Sequence, residues 1–332
     1  MKQRRTQLRR TFGVMPMIFV LALGLLLAAC GNDNTGGEPA VDGAQTAAPT
    51  NTGSSTGASQ PTSAAQPSAA AAGGATVDAI KKRGVLRVGV KYDAPPFGSL
   101  DPATNKVTGF DVDVARGVAA AILGDENKVQ LVQVTSKNRI PLLQNGQIDM
   151  FAATATITKE RLGQINFSDV YYRAGQSLLV KKGSDIKTYK DLSGKNVCTV
   201  TGSTPEQTIR RLVPDAKVTL FETYPECLTS LRNGRIDAIT TDNVLLNGMQ
   251  QQDPENLEMV GDLFTFEPYG LGIAKGNAEL TTAVNEALDG MKDKYEALFK
   301  EHLDEPLPDD FDEWFSMPAA EAAQKFEDQQ AK

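Results

Sequence analysis

LQNGQIDMFAAT, residues 143–154, is echoed about ninety residues later by LRNGRIDAITTD, residues 231–242. Each phrase has a leucine, an Asn-Gly pair, Ile-Asp and then an apolar run closing on Thr or Asp. Asn-Gly after an amphipathic run ends a helix, because glycine adopts the left-handed conformation that closes the last turn. The apolar run that follows reads as a buried strand. Each copy is therefore a helix end, a strand and the polar loop beyond it, the place where open α/β sheets hold small molecules. Two such units predict two similar lobes with facing loops.

Working outward, VLRVGV (85–90) reads as a first strand, and Asp111 is the expected N-cap of a helix carrying Val114, Val118 and Ile122. Lys128–Val134 is a second strand, Asn138–Asn145 a helix and Ile148–Ala153 a third strand. This βαβαβ order implies a parallel sheet. A second unit repeats the order with strands at 195–200, 218–221 and 236–240 and a helix over 204–212. The expected organisation is a first lobe of 77–176 plus 275–317 and a second of 183–268. Hinge strands cross at 177–182 and 269–274, and a frayed helical tail occupies 318–332.

The first thirty residues carry Lys2, Arg4, Arg5, Arg9 and Arg10, then an apolar run ending Leu27-Ala28-Ala29-Cys30. This resembles a lipoprotein signal, with acylation expected at Cys30 and an extracytoplasmic, membrane-anchored location. Residues 31–76 are almost entirely Gly, Ser, Thr, Ala, Pro, Gln and Asn, too polar to offset their ordering entropy, and read as a tether. With Cys30 acylated, Cys198 and Cys227 remain, and in an exported protein they are expected to form a disulfide.

Net charge is −7, with no basic cluster in the globular part, which argues against nucleic acid as a partner. One histidine, His302, lies in an exposed-looking stretch far from any serine in a nucleophile context. No HExxH or CxxC occurs, so no catalytic site, metal or cofactor is expected. The strand-end loops are the informative places. Thr154, Thr156, Thr158 and Arg161 follow the first phrase, Asp242 closes the second, and Gly202-Ser203-Thr204 opens a helix. Hydroxyls, a guanidinium, a carboxylate and a helix N-terminus suit a zwitterion.

These loops carry a family resemblance. VGVKYDAPPF, TGFDVDVARGVA, TSKNRIPLLQNGQIDM, ATATITKERLGQINFSDVYY, GSTPEQTI and GRIDAITTDNVLL resemble the extracellular solute-binding proteins of family 3, the polar amino acid receptors of ABC importers. The resemblance implies a type II periplasmic binding protein-like α/β fold. Each lobe would be a mainly parallel sheet flanked by helices, and the two would close over an amino acid. It also implies that Arg161 clamps the α-carboxylate with Thr156 and Thr204, and that Asp242 takes the α-ammonium with Thr154. Ser136 and Arg139 resemble the glutamate/aspartate branch, and Lys91 stands where that branch carries a base and the glutamine-binding branch an acid. Phe97 would wall the ligand's stem, while Tyr224 stands where a histidine can occur. The expectation is a monomeric glutamate- or aspartate-binding protein that serves an ABC permease and its ATPase. The alternatives are glutamine or asparagine as ligand, a sensory module, or a dehydratase on the same fold.

Overall fold

The computed structural model describes residues 74–330; the expected leader, Cys30 and the tether up to residue 73 lie outside them. The two phrases occupy the same station in two five-stranded sheets. In the first sheet the order is Val129–Gln133, Leu86–Val90, Met150–Ala152, Gly272–Ile273 and Asn166–Phe167. In the second it is Lys217–Phe221, Asn196–Val200, Ala238–Asp242, Gln176–Lys181 and Leu257–Val260. Three parallel strands begin each sheet, and a returning antiparallel strand lies beside the phrase strand.

The Asn-Gly helix stops form as the spacing predicts: Gly146 has φ 65° and Gly234 φ 69°. The aspartate of each Ile-Asp acquires a structural role that spacing alone does not reveal. Asp149 accepts the backbone N–H of Arg87 at 2.8 Å, and Asp237 accepts that of Asn196 at 2.7 Å. Each carboxylate thus pins the start of the phrase strand to the neighbouring first strand. Asp149 also meets the guanidinium groups of Arg83 and Arg87.

Burial follows the strand period of two. In Gln176–Lys181, Leu178 and Val180 join a core with Ile209 and Val197 on one face of the second sheet. Leu179 belongs to the other face, with Cys198 and Ile239. The disulfide Cys198–Cys227 forms, fastening helix Tyr224–Arg232 to strand Asn196–Val200.

Four expectations are corrected here. Residues 177–182 are no crossing but an inner strand of the second sheet, where three consecutive buried apolar residues pack on both faces. The ribbon between the lobes is Tyr172–Ala174 paired with Glu267–Tyr269, and Gly272–Ile273 already belongs to the first sheet. The segment after Pro318 is not frayed. Helix Ala319–Gln330 buries Ala322, Ala323 and Phe326, and Gln330 accepts hydrogen bonds from Thr208 and Arg211 of the second lobe. His302 is not an exposed residue: its Nε2 lies 2.7 Å from Asp113 and its ring packs against Phe110.

Among the described residues, no helix is long and apolar enough to cross a membrane.

Candidate functional site

The strand ends of the two sheets meet across a cleft that is shut in this structure. Thr156 Oγ1 of the first lobe lies 3.2 Å from Thr204 Oγ1 of the second. The Arg161 guanidinium donates to Thr156 O at 2.8 Å and to Gly202 O at 3.1 Å, bridging the lobes. Further out, Gln207 meets Glu160 at 3.3 Å and Lys137 meets Glu222 at 2.8 Å. The second of these pairs is exposed and adds little stability. Where helix Asn243–Gln250 approaches the turn at Pro95, a Cβ added to Gly248 would stand 2.1 Å from Pro95 O, so only glycine permits this contact.

Local folding places each group. The loop after the first phrase strand turns at Thr154, whose φ is 46°, and its N–H donates to Asp111 at 2.9 Å. Ile157 N–H then donates to Pro268 O at 2.7 Å and Gly270 N–H to Ala155 O at 3.0 Å, which zips the loop to the crossing ribbon. Thr158 caps helix Lys159–Gln164, setting Arg161 in its first turn. Ser203 caps helix Thr204–Leu212, so Thr204 opens that helix at the cleft.

Of the residues expected from sequence, Lys91, Arg139, Thr154, Thr156, Arg161, Thr204 and Asp242 are all buried. Lys91 Nζ stands 5.3 Å from the centre of the Tyr224 ring across the cleft. Tyr224 in turn shares a 2.5 Å hydrogen bond with Thr241. Arg139 donates to Ala153 O at 2.5 Å and lies against the Phe151 ring. Ser136 is half-buried on the loop that abuts Gly202. Phe97 packs among aromatic rings, one of which, Tyr269, donates to Asp242. The Phe97 ring is wholly buried, edge-on to Tyr172 at 4.9 Å and Tyr269 at 5.9 Å and tilted against Phe110, which places it in the aromatic core under the ribbon.

Three acids face the three cations, and sequence reasoning misses two of them. Asp111 is not the cap of its helix, since the cap is Gly109. It is a wholly buried carboxylate that accepts from Tyr171 at 2.6 Å as well as from Thr154 N–H. Glu267, on the ribbon, accepts from three threonine hydroxyls. Asp242, the expected acid, accepts from Tyr269 at 2.5 Å. No short-range pattern marks Glu267; the Thr-rich loops that supply its donors are the only signal.

Burial dominates the electrostatics. It presses Lys91 down to about 8, helped by Arg139, and lowers Arg139, helped by Arg161. It raises Asp111 to about 6 and also raises Asp242 and Glu267. Asp242 Oδ1, Thr154 Oγ1 and Arg139 Nε are buried without a hydrogen-bond partner among the described residues. An acceptor, a hydroxyl and a cationic N–H in one closed cleft provide the complementary polar groups for a small zwitterion.

The Asp111 shift makes a prediction. Below about pH 4 its carboxyl is neutral in folded and unfolded chains alike, and above about pH 6 it is charged in both. The stability of the neutral buried form is therefore present at low pH and lost as pH rises through about 6. That contribution is on the order of 3 kcal/mol. Asp111→Asn should gain stability relative to the parent as pH rises from about 4 to about 6 in denaturant titrations. A difference that is flat across this range would refute the assignment.

A family model described as bacterial extracellular solute-binding proteins, family 3, matches residues 86–305. A glutamine-binding protein of Geobacillus stearothermophilus is 55% identical over 205 residues, 61% of this chain and 78% of that protein. The ABC transporter glutamine-binding protein GlnH of Bacillus subtilis (strain 168) is 41% identical over 299 residues, 88% of this chain and 98% of that protein. Among solved structures, an ancestral arginine-binding protein bound to glutamine superimposes with a TM-score of 0.64 at 41% identity. That match spans 67% of this chain and 99% of the other. The chain belongs to the bacterial extracellular solute-binding proteins of family 3.

Proposed function

We propose that this protein captures glutamine outside the cytoplasm and delivers it to an ABC importer, tethered to the membrane through an acylated Cys30. Membership of the family supports amino acid binding for ABC transport. The observation that favours glutamine over the acidic ligands expected from sequence is that acids as well as cations line the cleft. Lys91, Arg139 and Arg161 face Asp111, Asp242 and Glu267. Two glutamine-binding relatives at 55% and 41% identity point the same way.

In this reading Arg161 holds the α-carboxylate, with Thr156 and Thr204 beside it. Asp242 Oδ1 and Thr154 Oγ1 take the α-ammonium. The side-chain amide, which donates and accepts, lies toward Lys91, Arg139 and Asp111, where acids and cations are both present. Glutamate is the second reading, favoured by the two buried cations Lys91 and Arg139. In that case its side-chain carboxylate would lie toward a second acid, Asp111, as well as toward the cations.

Calorimetric titration against the twenty amino acids tests the proposal, with glutamine expected to bind tightest. At 100 times Kd it should add about 2.7 kcal/mol, a rise in Tm of roughly 5–10 °C. No shift with any amino acid would remove the capture reading. Arg139→Ala should weaken glutamate about tenfold or more beyond its effect on glutamine; equal losses would mean that Arg139 does not read the side chain.

A further inference from the structure

Glu267 lies on the ribbon strand Glu267–Tyr269 and is wholly buried. Its Oε2 accepts from Thr156 Oγ1 at 2.6 Å and from Thr204 Oγ1 at 2.9 Å, and its Oε1 accepts from Thr265 Oγ1 at 2.8 Å. Thr156 belongs to the first lobe, and Thr204 opens a helix of the second. One carboxylate, carried by the segment that joins the lobes, therefore holds a hydroxyl from each side of the cleft. Separating the lobes lengthens the 3.2 Å Thr156–Thr204 approach and takes at least one hydroxyl away from Oε2.

The charged and titratable groups around Glu267 are Asp242, which opposes its ionisation, Arg161, which favours it, and Tyr269. Its carboxylate oxygens are already engaged by hydroxyls, whereas Asp242 keeps Oδ1 without a partner among the described residues. This divides the labour between the two acids: Asp242 faces the ligand and Glu267 faces the lobes.

We propose that Glu267 is a closure latch, a positioning residue whose carboxylate ties Thr156 of the first lobe to Thr204 of the second when the cleft shuts. The proposal rests on the reading of this protein as an amino acid receptor that closes over its ligand. Hydrogen bonds completed only on closure add to ligand affinity without touching the ligand. The latch should therefore serve every amino acid the protein binds, whatever its side chain.

The test compares the parent chain with Glu267→Ala and Glu267→Gln by calorimetry with glutamine, by small-angle X-ray scattering with and without glutamine, and by thermal unfolding. Glu267→Ala should raise Kd about tenfold or more and leave the glutamine-saturated protein more open than the parent. Glu267→Gln, whose amide can satisfy only part of the hydroxyl set, should fall between. If Glu267→Ala lacks a cooperative transition, Glu267→Gln carries the comparison. Binding within about twofold of the parent, with full closure in the folded variants, would overturn the latch. A lowered Tm with unchanged Kd and scattering would equally overturn it, because that is the signature of a merely structural acid. Failure of the parent itself to bind any amino acid would instead sink the capture reading.

Discussion

Arg161→Ala is expected to cost the largest share of ligand affinity, about 30- to 5,000-fold in Kd. This corresponds to roughly 2–5 kcal/mol for truncating one partner of a buried charge pair. The guanidinium is buried, and two of its N–H groups are spent on carbonyls of opposite lobes, Thr156 O and Gly202 O. That leaves a planar fork, held rigidly, to meet a carboxylate. Since every α-amino acid carries the same carboxylate, the loss should be nearly uniform across ligands, unlike that of Arg139→Ala. Arg161→Lys should recover only a fraction, because an ammonium cannot span the two carbonyls and also present a fork. Calorimetry on the folded variant decides the matter: a Kd within about threefold of the parent would remove Arg161 from the site.

Breaking the disulfide should have the largest effect on stability. Cys198 and Cys227 are wholly buried, 29 residues apart in sequence, with Cα atoms 5.7 Å apart. A loop of this length restricts the unfolded chain by about 3–4 kcal/mol in the chain-entropy account. For a protein of this size that corresponds to a fall in Tm of about 10 °C. The double variant Cys198→Ala/Cys227→Ala avoids placing unpaired hydroxyls in the core. Its second lobe should lose protection from hydrogen exchange before the first, because the bond ties helix Tyr224–Arg232 to that sheet alone. A melting temperature within about 2 °C of the parent would contradict this account.

Much of the fold was legible because its signals are local. The Asn-Gly stops, the apolar strand runs and the capped helix at Thr204 depend on neighbours a few residues away, and each appears where spacing placed it. What failed depends on distant partners. An apolar run such as Leu178–Val180 announces a strand but not which sheet it joins. The final helix reads as weak because its sequence is poor in large apolar residues. Its one aromatic anchor, Phe326, is buried by elements far earlier in the chain, and the helix packs beside both Lys159–Gln164 and the ribbon strand Glu267–Tyr269.

The ligand is misjudged from sequence for a related reason. Lys91 and Arg139 are visible as cations, but Asp111 resembles a helix cap and Glu267 sits in a crossing segment with no motif of its own. Counting the positive groups without the acids folded against them favours an anionic ligand. The acids set against these cations emerge only when residues 91, 111, 139, 161, 242 and 267 are brought together.

The ribbon also governs the order in which the molecule can be completed. Every strand of the second sheet lies between residues 176 and 260, an uninterrupted stretch, whereas the first sheet needs Gly272–Ile273 between strands made more than a hundred residues earlier. A chain emerging N-terminus first can thus finish its later-encoded half while the earlier one still gapes. Until residue 273 arrives, the edges of Met150–Ala152 and Asn166–Phe167 stay unpaired toward each other, and the nascent protein is most open to strand-seeking neighbours during that interval.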